Sequence, residues 1–137
     1  MCENNYMNIP ENAHSLRCYF TWMGEDGIAK TKVKPGSEVV LEDAQANSVV
    51  VNGFYVDRKF PLLIDARGIK SITRDARNFF TTNGRQTNTL AFAILIDSSV
   101  SKVVGNFFLG INKPAVPTKL FSDEDSAVEW LKQFRVK

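Results

Sequence analysis

Two stretches decide the fold: FPLLID at residues 60–65 and TLAFAILID at residues 89–97. Both are apolar, without the alternation of a strand that has one face in water. A strand that is apolar on both sides is buried on both faces, as in a parallel sheet covered by helices. The sequence therefore predicts an α/β layer structure, with these two strands as parallel neighbours at its centre.

A hairpin is predicted upstream of these strands. Residues 16–23 alternate with period two, Gly24 to Gly27 supply a turn, and residues 28–33 form the return strand. The predicted sheet is therefore mixed, with an antiparallel start and a mainly parallel remainder.

Three lysines share one face of the return strand: Lys30, Lys32 and Lys34. Lysine is mostly a surface residue, and charged side chains along a strand discourage pairing with another chain. We therefore expect a solvated face, and a stripe that contacts anions is the alternative.

Helical spacing of apolar residues predicts four helices around the strands. They are residues 39–52, residues 72–82, a helix capped by Ser98 and a final helix capped by Ser122. Thr73 is expected to cap the second helix, because its hydroxyl can accept from amides of the first turn. A short strand at Thr118–Phe121 completes the order ββαβαβαβα, with right-handed crossovers.

Composition and charge exclude several classes of protein. The 137 residues suit one domain, and 17 basic against 15 acidic residues do not suggest a nucleic-acid coat or a membrane-surface binder. One His and two Cys are too few for a structural zinc site, a His-based triad or a disulfide scaffold. Cys18 alternates with apolar residues, so we expect a buried small hydrophobe. No cofactor, metal or nucleic acid is expected.

Residues 1–14 are polar and are interpreted as a poorly ordered leader, followed by one domain from 15 to 137. The leader lacks the basic and apolar regions of a secretory signal. The longest apolar run, Leu90–Ile96, is far shorter than the roughly 20 residues of a membrane span. We expect a cytoplasmic protein with no membrane span and with reduced cysteines. The leader could lie on a neighbouring copy, so a homodimer is one partner hypothesis.

From Leu16 to its C-terminus the chain resembles the STAS domain, the fold of bacterial anti-anti-sigma factors. The resemblance is carried by FPLLIDARGIKSITRDARNFF, LAFAILIDSSVSKVVGNFFLGINKP and TKLFSDEDSAVEWLKQF. The chain is most similar to small stand-alone bacterial STAS-like proteins of unassigned function. The resemblance implies a STAS-like mixed sheet packed with about four helices, and it implies little about activity because one fold hosts many functions.

The resemblance also bears on a phosphorylation site. In anti-anti-sigma factors a partner kinase phosphorylates the first hydroxyl of a D-S-S-G or D-T-S-G motif at a helix start. Alignment of Asp65–Ile69 (DARGI) with the family's D-L-S-G-V puts Thr73 on the motif's Asp and Arg74 on the phosphoacceptor. Arginine at that position argues against a sigma-factor switch of the usual kind. Thr73 and Ser71 are displaced candidates, although a capping hydroxyl needs no such role.

A candidate edge for a ligand or partner lies beyond the two central strands. Ligands of open α/β sheets bind outside the carboxyl ends of the strands, where Asp65 and Asp97 stand. The other candidates at this edge are Arg67, Ser71, Thr73, Arg74, Ser98 and Ser99. Two carboxylates could hold a divalent cation, and Arg74 with helix-start amides could hold a phosphate. The favoured interpretation is that both acids cap turns and pair with local arginines.

These observations favour a non-enzymatic STAS-like module that binds a protein partner or a small anion. A phosphorylatable regulator that uses Thr73 or Ser71 is the first alternative. A small lipid or apolar-ligand carrier is the second, because a lipid-exchange domain shares this general topology. An enzyme that holds a metal through Asp65 and Asp97 is the third.

Overall fold

The computed structural model describes residues 9–54, 58–83, 89–97 and 116–134. Its elements are β1 (His14–Ser15), β2 (Tyr19–Met23), β3 (Ala29–Val33), β4 (Glu38–Val39), α1 (Leu41–Phe54), β5 (Phe60–Asp65), β6 (Ser71–Ile72), α2 (Arg74–Asn83), β7 (Thr89–Leu95), β8 (Thr118–Phe121) and α3 (Glu124–Lys132). The predicted mixed α/β class is confirmed, with three helices in these residues. The predicted helix that starts at Ser98 lies outside them.

The main sheet has six strands in the order β1-β2-β3-β5-β7-β8, and β4 pairs separately with β6. The pairs β1–β2 and β2–β3 are antiparallel, and every later pair is parallel. The antiparallel pairing of β2 with β3 confirms the predicted hairpin. The parallel pairing of β5 with β7, in which Asp65 lies opposite Leu95, confirms the predicted central pair. The carboxyl ends of β3, β5, β7 and β8 therefore meet at one edge of the sheet.

Both faces of the sheet are buried under helices. On one face α1 and α2 cover a cluster that includes Val39, Ala44, Ile72, Ala76 and Ile94. On the other face α3 covers a cluster that includes Trp22, Leu63, Ala93, Leu95 and Leu131. Full burial of one large aliphatic side chain contributes about 1.5–3 kcal/mol. The apolar runs of β5 and β7 thus supply core to both layers, as their lack of alternation predicts.

A ring of three neutral polar side chains lies between α1 and the hairpin. Thr21 donates to Oδ1 of Asn47, and Nδ2 of Asn47 donates to Oγ1 of Thr31 at 3.2 Å. The two threonine hydroxyls are 3.1 Å apart. Because the one hydroxyl hydrogen of Thr21 goes to Asn47, Thr31 must donate to Thr21, which closes the ring. All three side chains are buried.

The first helix starts two residues later than predicted, because Val39 belongs to β4. Asp43 in its first turn accepts from the amide of Val40 at 2.9 Å and from Nε of Arg17 at 2.9 Å. Burial acts to raise the pKa of the Asp43 carboxyl, but these hydrogen bonds outweigh it, and the net pKa is below the ordinary value. Arg17 therefore ties the start of the hairpin to the start of α1.

The final helix is capped by Asp123 and not by Ser122, which corrects the predicted cap. Asp123 has extended backbone, with φ −137° and ψ 150°. Its Oδ2 accepts from the amide of Ser126 at 2.8 Å. A carboxylate at this position also interacts favourably with the positive end of the helix dipole. By contrast, the predicted cap of α2 is confirmed: the amide of Ala76 donates to Oγ1 of Thr73 at 3.2 Å.

The expectation of a solvated lysine face is wrong. Lys32 is only 4% exposed, and Lys30 pairs with Asp26 at 2.9 Å. Lys34 donates to the carbonyl of Leu16 at 2.7 Å. The reason is that β3 lies inside the sheet, between β2 and β5. Lys30 and Lys32 lie on the face of the sheet that α3 helps to cover.

The N-terminal part of the described chain already contains regular structure. His14, in the expected leader, is the first residue of β1, and its ring centroid lies 5.9 Å from that of Phe54 in α1. Cys18 is 2% exposed, which confirms the expected burial of this thiol. Burial also raises the pKa of Cys18, so the thiol is poorly suited to act as a nucleophile.

Candidate functional site

Asp65 ends β5 and is fully buried against Arg67, with exposed fractions of 0% and 6%. Its Oδ1 accepts from Nε of Arg67 at 2.9 Å and from the backbone amide of Arg67 at 3.1 Å. Its Oδ2 accepts from Nη2 of Arg67 at 2.8 Å. These hydrogen bonds raise the pKa of the Arg67 guanidinium. Asp65 thus points at a local arginine, and the pair fixes the turn that follows β5.

Asp97 lies just beyond β7 and is exposed. Its Oδ1 accepts from the amide of Gly68 at 3.3 Å, which joins the end of β7 to the segment after β5. A cation bound by both carboxylates would require Asp65 to leave Arg67. Within the described ranges, no three His, Cys, Asp or Glu side chains are grouped so that they could hold a metal ion.

Exposed polar residues surround the start of α2. Ser71 in β6, Thr73, Arg74 and Asp75 are all exposed. We call these four residues the α2-edge surface. The hydroxyl of Thr73 is engaged as the helix cap, whereas Arg74 is the first residue of α2. The position that the STAS resemblance assigns to a phosphoacceptor therefore presents a guanidinium at the helix start.

The connection between β5 and β6, residues 66–70, is held by backbone hydrogen bonds from the loop after β3. The amide of Gly36 donates to the carbonyl of Gly68 at 2.7 Å, and the amide of Lys70 donates to the carbonyl of Ser37 at 2.9 Å. Gly36 and Gly68 have φ of +78° and +84°, a region that favours glycine. Two neighbouring glycine turns thus place the chain that leads into the α2-edge surface.

Lys32 lies behind this connection and was missed as a site residue. Its ammonium donates to the carbonyl of Val33 at 2.7 Å and to the carbonyl of Arg67 at 3.4 Å. Burial lowers the pKa of Lys32, and the nearby Asp65 carboxylate opposes that shift. The alternating pattern gave no signal for this burial, because only the pairing of β3 with β5 puts Lys32 opposite Asp65.

Glu124, the first residue of α3, adds a further charge to the same edge. Its side chain is half-buried, and burial raises its pKa, while Lys30 and Arg67 oppose that shift. The end of β5 is therefore a charged environment on the α3 face of the sheet. No pattern in the sequence relates Glu124 to β5, because the two are 59 or more positions apart.

The structure describes six of the eight predicted site residues. Asp65, Arg67 and Asp97 lie around the connection after β5, with the first two buried and the third exposed. The other three lie on the α2-edge surface: Ser71, Thr73 and Arg74. Ser98 and Ser99 lie outside the described residues.

The fold defines a class of protein, the STAS-like proteins. An uncharacterised protein of the DUF3478 family with a SpoIIAA-like fold, from Shewanella loihica PV-4, is 17% identical to this chain with a TM-score of 0.58. The match covers 82% of this chain and 91% of that one. At this identity the likeness shows the fold alone, and at that level it confirms the resemblance to STAS domains.

More specifically, the chain belongs to a family described as a domain of unknown function (DUF7793), which matches residues 21–135. A protein of unknown function from Arthrobacter sp. FB24 is 33% identical, over 81% of this chain and 90% of its own, with a TM-score of 0.32. No curated protein matches the sequence significantly. No helix in the described ranges combines the length and apolar character that a membrane crossing requires.

Proposed function

We propose that this protein is a non-enzymatic STAS-like module that binds a protein partner through the α2-edge surface. The observation that carries the proposal is the exposed Arg74 at the first position of α2. In the STAS resemblance this position belongs to the phosphoacceptor hydroxyl. A guanidinium there can recognise a carboxylate or phosphate on a partner in bidentate fashion.

The engagement of the nearby polar groups supports binding over chemistry. Asp65 is occupied by three hydrogen bonds from Arg67. Thr73 is occupied as the cap of α2. A general base or nucleophile needs a group that can reach a substrate, and these two groups serve the protein's own structure instead.

The test compares two charge reversals in the full-length protein. Arg74→Glu changes the α2-edge surface, whereas Arg58→Glu changes an exposed arginine just before β5, at the amino end of that strand. Proteins captured from a lysate of the native cells by the wild type are purified, and their dissociation constants are measured for the wild type and for both variants. We expect Arg74→Glu to weaken binding by tenfold or more, about 1.4 kcal/mol, and Arg58→Glu to leave it unchanged.

Two results would contradict the proposal. Equal affinity of both variants for every captured protein would remove the α2-edge surface as the binding site. Stoichiometric phosphate on Thr73 or Ser71 after incubation with ATP and lysate, detected by mass spectrometry, would favour a phosphorylated regulator. Titration with inorganic phosphate tests whether the surface binds a small anion instead of a protein. Saturable phosphate binding that is lost in Arg74→Glu would indicate a small-anion site.

A further inference from the structure

The ammonium of Lys32 is buried where a charge is costly. The residue is 4% exposed and lies between Phe20 of β2 and Asp65 of β5 in the register of the sheet. Removing an ammonium from water carries a penalty that an apolar side chain of similar volume avoids. The apolar stem of Lys32 can fill this space, so packing alone does not explain the charged end.

Two buried cations, Lys32 and Arg67, lie beside the buried carboxylate of Asp65. Both oxygens of Asp65 already accept from Arg67. Asp97, a further charged neighbour of Lys32, is exposed and accepts from the amide of Gly68. The ammonium of Lys32 itself donates to two backbone carbonyls, those of Val33 and Arg67, so it holds the backbone as well as lying near a carboxylate.

One of those hydrogen bonds crosses from β3 to the connection after β5. The ammonium reaches the carbonyl of Arg67 at 3.4 Å, directly before Gly68 and its positive φ. Two further hydrogen bonds hold the same connection. The amide of Gly36 donates to the carbonyl of Gly68, and the amide of Gly68 donates to Oδ1 of Asp97. Four residues further along the chain from Arg67, it reaches Ser71, the first residue of the α2-edge surface.

We infer that Lys32 is a positioning residue: its buried ammonium sets the place of residues 66–70 and, through them, of the α2-edge surface. This inference rests on the proposed function for its consequence in binding. The position of the connection itself can be measured without any partner.

The test uses Lys32→Met in the full-length protein, since Met keeps an unbranched apolar stem and removes the charge. Lys30→Met is the matched control, because Lys30 lies on the same face of β3 and pairs with Asp26 in the hairpin turn. Two readouts are the urea midpoint of unfolding and the hydrogen exchange of the Lys70 and Thr73 amides, which bond to carbonyls of the β3–β4 region.

Lys32→Met should keep or raise the urea midpoint, while exchange of the two amides accelerates about tenfold or more. Lys30→Met should leave that exchange unchanged. A lower midpoint for Lys32→Met with unchanged local exchange would overturn the inference, because Lys32 would then act only in the core. Unchanged midpoint and unchanged exchange would overturn it as well.

Binding separates this inference from the proposed function. If a partner depends on Arg74, its affinity should fall at least fivefold in Lys32→Met and not in Lys30→Met. Equal affinity for that partner would refute the role in positioning the surface even if the amides exchange faster. If no partner depends on Arg74, the proposed function fails, and the exchange measurement still decides whether Lys32 positions the connection.

Discussion

The two faces of the hairpin bury polar groups in different ways. Under α1, the ring of Thr21, Thr31 and Asn47 is neutral, and each member donates one hydrogen bond to the next. On the α3 face, two buried cations, Lys32 and Arg67, lie beside the buried carboxylate of Asp65. In the neutral ring each side chain finds its hydrogen-bond partner within the ring, and the ring joins α1 to the hairpin. The charged group holds the connection that follows β5.

This difference matters because buried neutral and buried charged groups respond differently to change. A neutral hydrogen-bonded group costs little if all partners are replaced together by apolar ones, and more if one partner is left alone. A buried charge that loses its counter-ion is strongly destabilising, and its protonation depends on pH. The following substitutions test this difference between the neutral and the charged group.

The largest effect is expected for Asp65→Asn. This substitution keeps the shape of the side chain but leaves Lys32 and Arg67 buried without their carboxylate. We expect a loss of about 3–5 kcal/mol in the free energy of unfolding, measured by urea denaturation. The control is Asp97→Asn at the exposed end of β7, with an expected loss below about 0.5 kcal/mol. Equal losses in the two variants would show that the pair with Arg67 does not stabilise the fold.

A smaller loss, about 2 kcal/mol, is expected for Asn47→Leu, because the hydroxyl of Thr21 loses its acceptor and Thr31 loses a donor. Asn52→Leu is the matched control, since Asn52 is an exposed asparagine of the same helix. The triple variant with Thr21→Val and Thr31→Val should recover most of the loss. A triple variant as unstable as the sum of its parts would argue against a closed ring.

Tyr19→Phe should leave stability unchanged or raise it by about 1 kcal/mol. The hydroxyl of Tyr19 is buried on the α1 face and has no hydrogen-bond partner in the described part of the chain. Burial also raises the pKa of Tyr19, so the group stays neutral. Thermal and urea unfolding of the variant measure the effect. A clear loss of stability would mean that the hydroxyl is hydrogen-bonded after all, for example to water.

The smallest effect is a pH slope that distinguishes the two faces. Burial lowers the folded-state pKa of Lys32 below the ordinary 10.5. Between the folded and unfolded pKa the unfolded chain binds more protons, so this group's contribution to stability rises with pH across that range. The unfolding free energy of the wild type relative to Lys32→Met should therefore rise as pH approaches 10.5.

The same measurement on Asn47→Leu supplies the comparison for the neutral face. Its difference from the wild type should stay constant over the same pH range, because no member of the ring titrates there. A flat profile for Lys32→Met would mean that the buried ammonium keeps an unshifted pKa.

Local pattern was sufficient for most of the fold. The apolar runs of β5 and β7 predicted two parallel central strands, and the spacing before Ala76 predicted a cap at Thr73, because both signals depend on neighbours in sequence. Element boundaries were less accurate. Val39 has the same apolar character in a strand as in a helix, so only its pairing with Ile72 assigns it to β4.

The candidate site was predictable in part. Asp65 and Asp97 were predicted from their positions at the ends of two apolar strands, and Arg74 was predicted from the alignment with the STAS motif. Lys32 and Glu124 could not be found in this way, since they reach the end of β5 from distant parts of the chain. Whether a strand face is exposed to solvent depends on the neighbouring strand and on the helix that covers it. The residues of the strand itself do not reveal either of these partners.

Side chains a few positions apart set the longer strands and helices of the described residues, the parallel central pair and the arginine at the helix start, so the sequence alone predicts them; it did not predict the two-residue strands β1, β4 and β6. Packing in three dimensions alone buries Lys32, joins Thr21, Thr31 and Asn47 in a ring, and brings Glu124 within electrostatic range of Arg67. The hydrogen bonds of the ring and of Lys32 to Arg67 join residues 10 to 35 positions apart. Their energies depend on burial, which exists only once the strands have paired and the helices have packed.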